Sequence, residues 1–159
     1  MSISVLETLL GIPLHPLLIH TAVVFVPLLV LAALVYALVP GLRARVGWLL
    51  VGLAVLAPLC TLASKLSGDA FRARMVRRHL TSPQGLALID GHRHLGTILV
   101  YVVSALGVVS LLMVLLPPAR RTKAVSLALV VLAVGLSIVS GYYVFRTGDT
   151  GAHIVWSGF

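Results

Sequence analysis

Four stretches of this chain, 17–40, 46–64, 95–117 and 124–145, contain no Asp, Glu, Lys or Arg. Each approaches or exceeds the roughly 20 apolar residues that a helix needs to cross a bilayer, and a backbone in hydrocarbon must close its hydrogen bonds within the segment or a barrel. The expected fold is therefore all-α, a bundle of four transmembrane helices forming one integral membrane domain over residues 1–159. Composition agrees: 60% of residues are hydrophobic and 10% charged, where a soluble domain carries about a quarter charged. The first run follows a proline-broken lead and is long enough to span, so it reads as a retained helix rather than a signal peptide.

The net charge of +8 does not point to nucleic acid, because the basic residues sit in connectors between apolar runs, where lipid head groups are the nearer anions. Membrane lipids are the expected partners. The single cysteine, Cys60, lies within an apolar run and excludes an intramolecular disulfide.

The connectors differ in kind. Residues 40–45 and 117–123 are short basic turns, whereas 67–91 is long, with 69–80 expected as a basic interfacial helix or a solvated loop. Alternation of direction puts both short turns on one side of the membrane, face B, and the long connector and both termini on the other, face A. All six histidines (His15, His20, His79, His92, His94, His153) and all four acids (Glu7, Asp69, Asp90, Asp149) then fall on face A. Orientation stays open: face A carries more Lys and Arg, while the short face B turns carry them more densely.

An offset of about 80 residues relates the halves, about 13–70 and 92–151. Ser67-Gly68-Asp69 matches Thr147-Gly148-Asp149, Pro40 matches Pro118, and His15 falls opposite His94 at 79. Two parallel helix hairpins about a pseudo-twofold axis along the membrane normal would produce this. Shared composition of membrane hairpins also produces such matches.

His20, one turn inside the first helix, and His92 and His94, opening the third, share a depth. Imidazoles from two helices are ligands for haem iron, and also suit copper or zinc. His92 and His94 point apart on a helix, so only one can share a site with His20. Asp69, Arg146 and Asp149 complete a polar layer, with the tail glycines expected in a tight turn. No G-x-S-x-G, H-E-x-x-H, phosphate loop or C-x-x-C occurs, which argues against a hydrolase and leaves no catalytic residue to name. Proton or solute transport would need ionisable groups through the middle of the helices, and there are none.

The ordered set Gly11-x-Pro13-x-His15-Pro16-Leu17-x-x-His20, Ser67-Gly68-Asp69, His92-x-x-Leu95-Gly96 and Arg146-x-Gly148-Asp149-x-Gly151-Ala152-x-x-x-Trp156 resembles a bacterial four-helix membrane family catalogued as a domain of unknown function. The resemblance implies a multi-pass protein of the bacterial plasma membrane. Some relatives carry a Rieske iron-sulphur domain after the bundle, which implies redox work; here the chain stops at Phe159, so an electron partner would be a separate polypeptide. His94 and His153 fall where the family pattern varies, which ranks them behind His20, His92 and His15 as ligands. Three readings follow: a site for haem b or a transition metal in a redox or accessory role, a structural or assembly subunit, and a small transporter. A separate redox protein or a second copy of the chain would be the partner.

Overall fold

The computed structural model describes residues 8–9, 12–116 and 118–156. Glu7, Gly11 and Phe159 lie outside them. A two-residue pairing, β1 (Thr8–Leu9) against β2 (Ile12–Pro13), leads into four helices: α1 (Leu14–Leu38), α2 (Arg43–Arg77), α3 (Pro83–Leu115) and α4 (Lys123–Trp156). All four are long and apolar enough to cross a membrane. The protein is a multi-pass four-helix bundle in contact with lipid.

Each helix packs on two neighbours in the ring α1, α2, α3, α4, with α1 and α3 also touching across the diagonal; α4 against α1 is the slightest of the four sides. Val26, Leu29 and Ala33 of α1, Leu50 and Ala57 of α2, and Val103 and Leu106 of α3 are wholly buried. Small residues let the backbones approach where lipid supplies no hydrophobic drive. The tightest approach is at Gly107, where an added Cβ would stand 2.6 Å from the Ala54 carbonyl oxygen and 3.1 Å from Pro58 Cγ. Pro58 has no N–H to offer the carbonyl four residues back, so that oxygen is the one Gly107 lies against. On α4, Ala133, Ser137 and Ser140 are buried. Gly141, four positions after Ser137, has open space around its Cα.

At face B each short turn begins with a 3₁₀ helix, Pro40–Leu42 and Pro118–Arg120. In both, an arginine folds back on the end of the preceding helix. Arg43 Nε donates to the Tyr36 carbonyl at 2.9 Å and Nη2 to that of Ala37 at 3.2 Å, and Arg121 Nη2 donates to Met113 O at 3.2 Å. The last carbonyls of a helix lack internal donors, which is why a cation is held there.

Face A differs from the sequence reading. Residues 69–77 do not form a separate interfacial segment; they continue α2, and the connector shrinks to 78–82, with His79 at a φ of 51°. α3 starts at Pro83, where Ser82 Oγ caps the Gly85 N–H at 3.1 Å, so His92 and His94 lie inside the helix instead of opening it. α4 runs through Gly148 and Gly151 to Trp156 without the expected turn. Helices of 33 to 35 residues reach about 50 Å against a hydrocarbon core of about 30 Å. Counted from the face B turns, the excess lies entirely on face A. Ion pairs join the projecting ends of α2 and α3, and that of α4 is tied to α3 by the contact of His92 with Thr150.

A candidate functional site of two histidines at face A

His15 is the second residue of α1, and its ring passes between helices. Its Nδ1 lies 3.0 Å from the Ser64 carbonyl and 3.2 Å from Ser67 Oγ, both on α2. A carbonyl only accepts, and Ser67 gives its own proton to Ser64 O at 2.9 Å, so Nδ1 carries the hydrogen and Nε2 keeps its lone pair. The His92 ring of α3 reaches α4 in the same way. Its Nδ1 lies 3.1 Å from Thr150 Oγ1, whose hydroxyl donates to Arg146 O at 2.9 Å and Thr147 O at 3.1 Å. Nδ1 is again the donor and Nε2 the free base.

The two rings meet at the diagonal of the bundle, centroids 6.3 Å apart and planes at 76°, and Phe71 is stacked with His15 at 6.4 Å and 20°. Each ring lies against a glycine on its partner helix. A Cβ at Gly68 would come within 3.0 Å of His15 Cε1, and one at Gly151 within 3.0 Å of His92 Cε1. Serine or threonine, then glycine, on the second helix of each hairpin thus seat the histidine of the first. Beside His92, Thr147 Oγ1 is buried without a hydrogen-bond partner.

The remaining site candidates stand elsewhere. His20 is exposed, its Nδ1 donating to Pro16 O at 2.7 Å. His94 is exposed as well. His153 is on the outer part of α4, where its Nδ1 bonds Asp149 O at 2.9 Å and lies 3.3 Å from the Asp149 carboxylate, which Arg146 also contacts at 3.3 Å. Cys60 is a free thiol, half-buried.

An ionic layer lies beyond the histidines. Asp69 accepts from Lys65 and from Arg93 Nε, so α2 and α3 are tied together. Asp90 takes a two-pronged contact from Arg72, at 2.5 Å from Nε and 2.8 Å from Nη2. Asp69 is 26 residues from Arg43, about 39 Å along the helix, and so clears the hydrocarbon. Partial burial works against its ionisation, but the hydrogen bonds from Lys65 and Arg93 outweigh this and hold the carboxyl below its ordinary value. The Arg72 bonds do the same for Asp90. These cross-helix pairs were not legible in advance, since they require the long connector to be helix.

The pattern of the family described as predicted membrane protein (DUF2231) matches residues 11–158. The chain belongs to this family. No curated protein and no solved structure matches it. The family description names a membrane protein and no activity, so the chemistry of a DUF2231 member rests on its residues. Among the described residues no group of three or more His, Cys, Asp or Glu side chains is gathered to hold a metal ion. Of the two histidines at the start of α1, His15 enters the interior contact and His20 stays outside it.

Proposed function

We propose that His15 and His92 would hold a b-type haem at face A, in a redox or accessory role in the bacterial plasma membrane. The observation that carries this reading is the ring pair itself: two imidazoles from different helices, 6.3 Å apart, each with Nδ1 engaged as donor. A ligating histidine needs its second nitrogen anchored in this manner. Two donors fall short of the four that structural zinc takes and the three that catalytic zinc keeps, whereas a haem would need no more than two from the protein. The unpaired Thr147 hydroxyl is available to an acceptor at the edge of such a group. Bound haem would supply one-electron chemistry, with a separate protein or a second copy of the chain as electron partner.

The full chain purified in detergent is expected to show a Soret band and a pyridine haemochrome spectrum with one haem per chain. His15→Ala and His92→Ala abolish the band, and His20→Ala and His94→Ala preserve it. Folded, colourless protein reconstituted with haemin without a change in spectrum would overturn the reading.

A structural or assembly role is favoured by a separate observation. The Nδ1 contacts join α1 to α2 and α3 to α4 and would hold the helix ends together with no ligand bound. In that case both alanine variants lower the melting temperature and no spectrum accompanies the loss.

A further inference from the structure

At face B all four helices contribute to a small cavity of about 50 Å³, lined by Tyr36 of α1, Arg43 of α2, Met113 of α3, Arg121 of the second short turn, and Ser126 and Val130 of α4. It has room for a few waters or one tetrahedral oxyanion. Two guanidiniums stand in its wall, held in place but not satisfied. Each has five N–H groups. Arg43 gives two of them to the Tyr36 and Ala37 carbonyls, and Arg121 gives one to the Met113 carbonyl. Tyr36 donates its hydroxyl to that same carbonyl at 3.3 Å, and the Arg43 guanidinium lies over the Tyr36 ring, Cζ 5.6 Å from the centroid. Both cations are thus fixed around one space, and Arg121 Nε is buried without a hydrogen-bond partner. A buried donor on a charged group is costly to leave unmet.

The chain supplies no counter-charge there. No Asp or Glu occurs in 8–68 or in 91–148, the segments that contain both short turns, and Asp69, Asp90 and Asp149 are bound to cations at face A. The ends of α1 and α3 bring about half a negative charge each and the start of α4 about half a positive one, so the two guanidiniums leave the cavity positive. Size and position narrow the anion. The cavity takes a phosphate but not a nucleotide or sugar joined to it, and arginine forks match phosphate oxygens. The helices end flush with the hydrocarbon at this face, and Leu38, Leu115, Leu116 and Trp48 are exposed around the turns, where acyl chains would lie. A choline or ethanolamine head would bring a further cation among Arg43, Arg45, Arg120, Arg121 and Lys123. We infer that Arg43, Arg121 and Ser126 bind the phosphodiester of an anionic phospholipid, their N–H and O–H groups donating to its free oxygens.

The test is a titration of the full chain in detergent with palmitoyl-oleoyl phosphatidylglycerol, and in parallel with the phosphatidylcholine of the same acyl chains, read by native mass spectrometry. One phosphatidylglycerol adduct per chain is expected, bound about tenfold more tightly than phosphatidylcholine. Arg121→Lys keeps the charge and loses the Nε–H, and should weaken the adduct severalfold. Ser126→Leu fills the cavity with both arginines in place and should weaken it at least as much. Arg45→Gln removes a charge from an exposed position of the same face and should change binding little. Equal binding of the two lipids, indifference to Ser126→Leu, or a loss in Arg45→Gln that matches Arg121→Lys in protein with an unaltered melting curve overturns the proposal. Inorganic phosphate separates the two sources of the anion: it should leave the lipid adduct in place, and a phosphate adduct that excludes the lipid overturns the assignment. The cavity is at the opposite face from His15 and His92, so the outcome is independent of any Soret band.

Discussion

At the scale of single residues, the interior of face A is set by glycines and short hydroxyls more than by the histidines they hold. Gly68 and Gly151 each have a histidine ring where a side chain would go. Gly68→Val is therefore expected to push His15 off its Ser64 partner and lower stability by about 1–3 kcal/mol, the usual cost of overpacking, measured by thermal melting in detergent. Gly52→Val meets nothing within 4 Å and should change the melting temperature little. Asp69 gives a different prediction. Its folded-state pKa lies below the ordinary carboxylate value, so its stabilisation is complete above the unfolded pKa of about 4 and is lost as pH falls through the lower, folded value. Below about pH 4 the fall in melting temperature should be shallower in Asp69→Asn than in the unmodified chain. At neutral pH that variant loses about 1–2 kcal/mol, since the charge-assisted bonds are partly solvated.

At the scale of helices, four apolar runs free of Asp, Glu, Lys and Arg were sufficient to read the crossings, because hydrocarbon imposes one secondary structure on such a run. The face A ends were not legible in the same way. Outside hydrocarbon a polar stretch is free to be loop or helix, and 69–77 and 147–156 are helical through contacts that periodicity does not record: Asp69 with Arg93, Arg72 with Asp90, Thr150 with His92. The same extension moved the histidine pairing. With α3 beginning at Pro83, His92 comes to the diagonal opposite His15, while His20, one turn deeper on α1, is on the outer surface. The sequence matches at an offset of 80 also sit in a different register in space: His92 follows His15 by 77 positions, and Thr150-Gly151 follow Ser67-Gly68 by 83. Between helices, the sharpest prediction is at Gly107. Alanine there would bring Cβ against the Ala54 carbonyl of the neighbouring backbone, which has no rotamer by which to move aside. Gly107→Ala should destabilise the fold by about 1–3 kcal/mol, against no loss for Gly135→Ala, read in parallel melts.

At the scale of the molecule, each hairpin closes on itself at both ends. In the first, His15 joins α1 to α2 at face A and Arg43 caps α1 from the turn at face B; in the second, His92 and Arg121 do the same for α3 and α4. We propose that the two hairpins are repeated units that fold and then dock. The docking surface is the contact of Gly107 with Ala54, reinforced outside the membrane by the Asp69–Arg93 and Arg72–Asp90 pairs. The link between them, 78–82, is five residues on the surface, and loop closure of so short a segment adds little to a docking held by apolar packing. Residues 1–80 and 81–159, co-expressed as separate chains with a tag on one, should copurify from detergent as a one-to-one complex. Gly107→Leu in the second fragment should abolish copurification by blocking the close approach. Asp69→Asn with Asp90→Asn should weaken it in a manner that 0.5 M salt reproduces with the unmodified fragments, because the ionic layer lies in water and is screened. Fragments that never associate, although each inserts in the membrane, would show that the four helices form in a single cooperative step and that the hairpins are not units of folding.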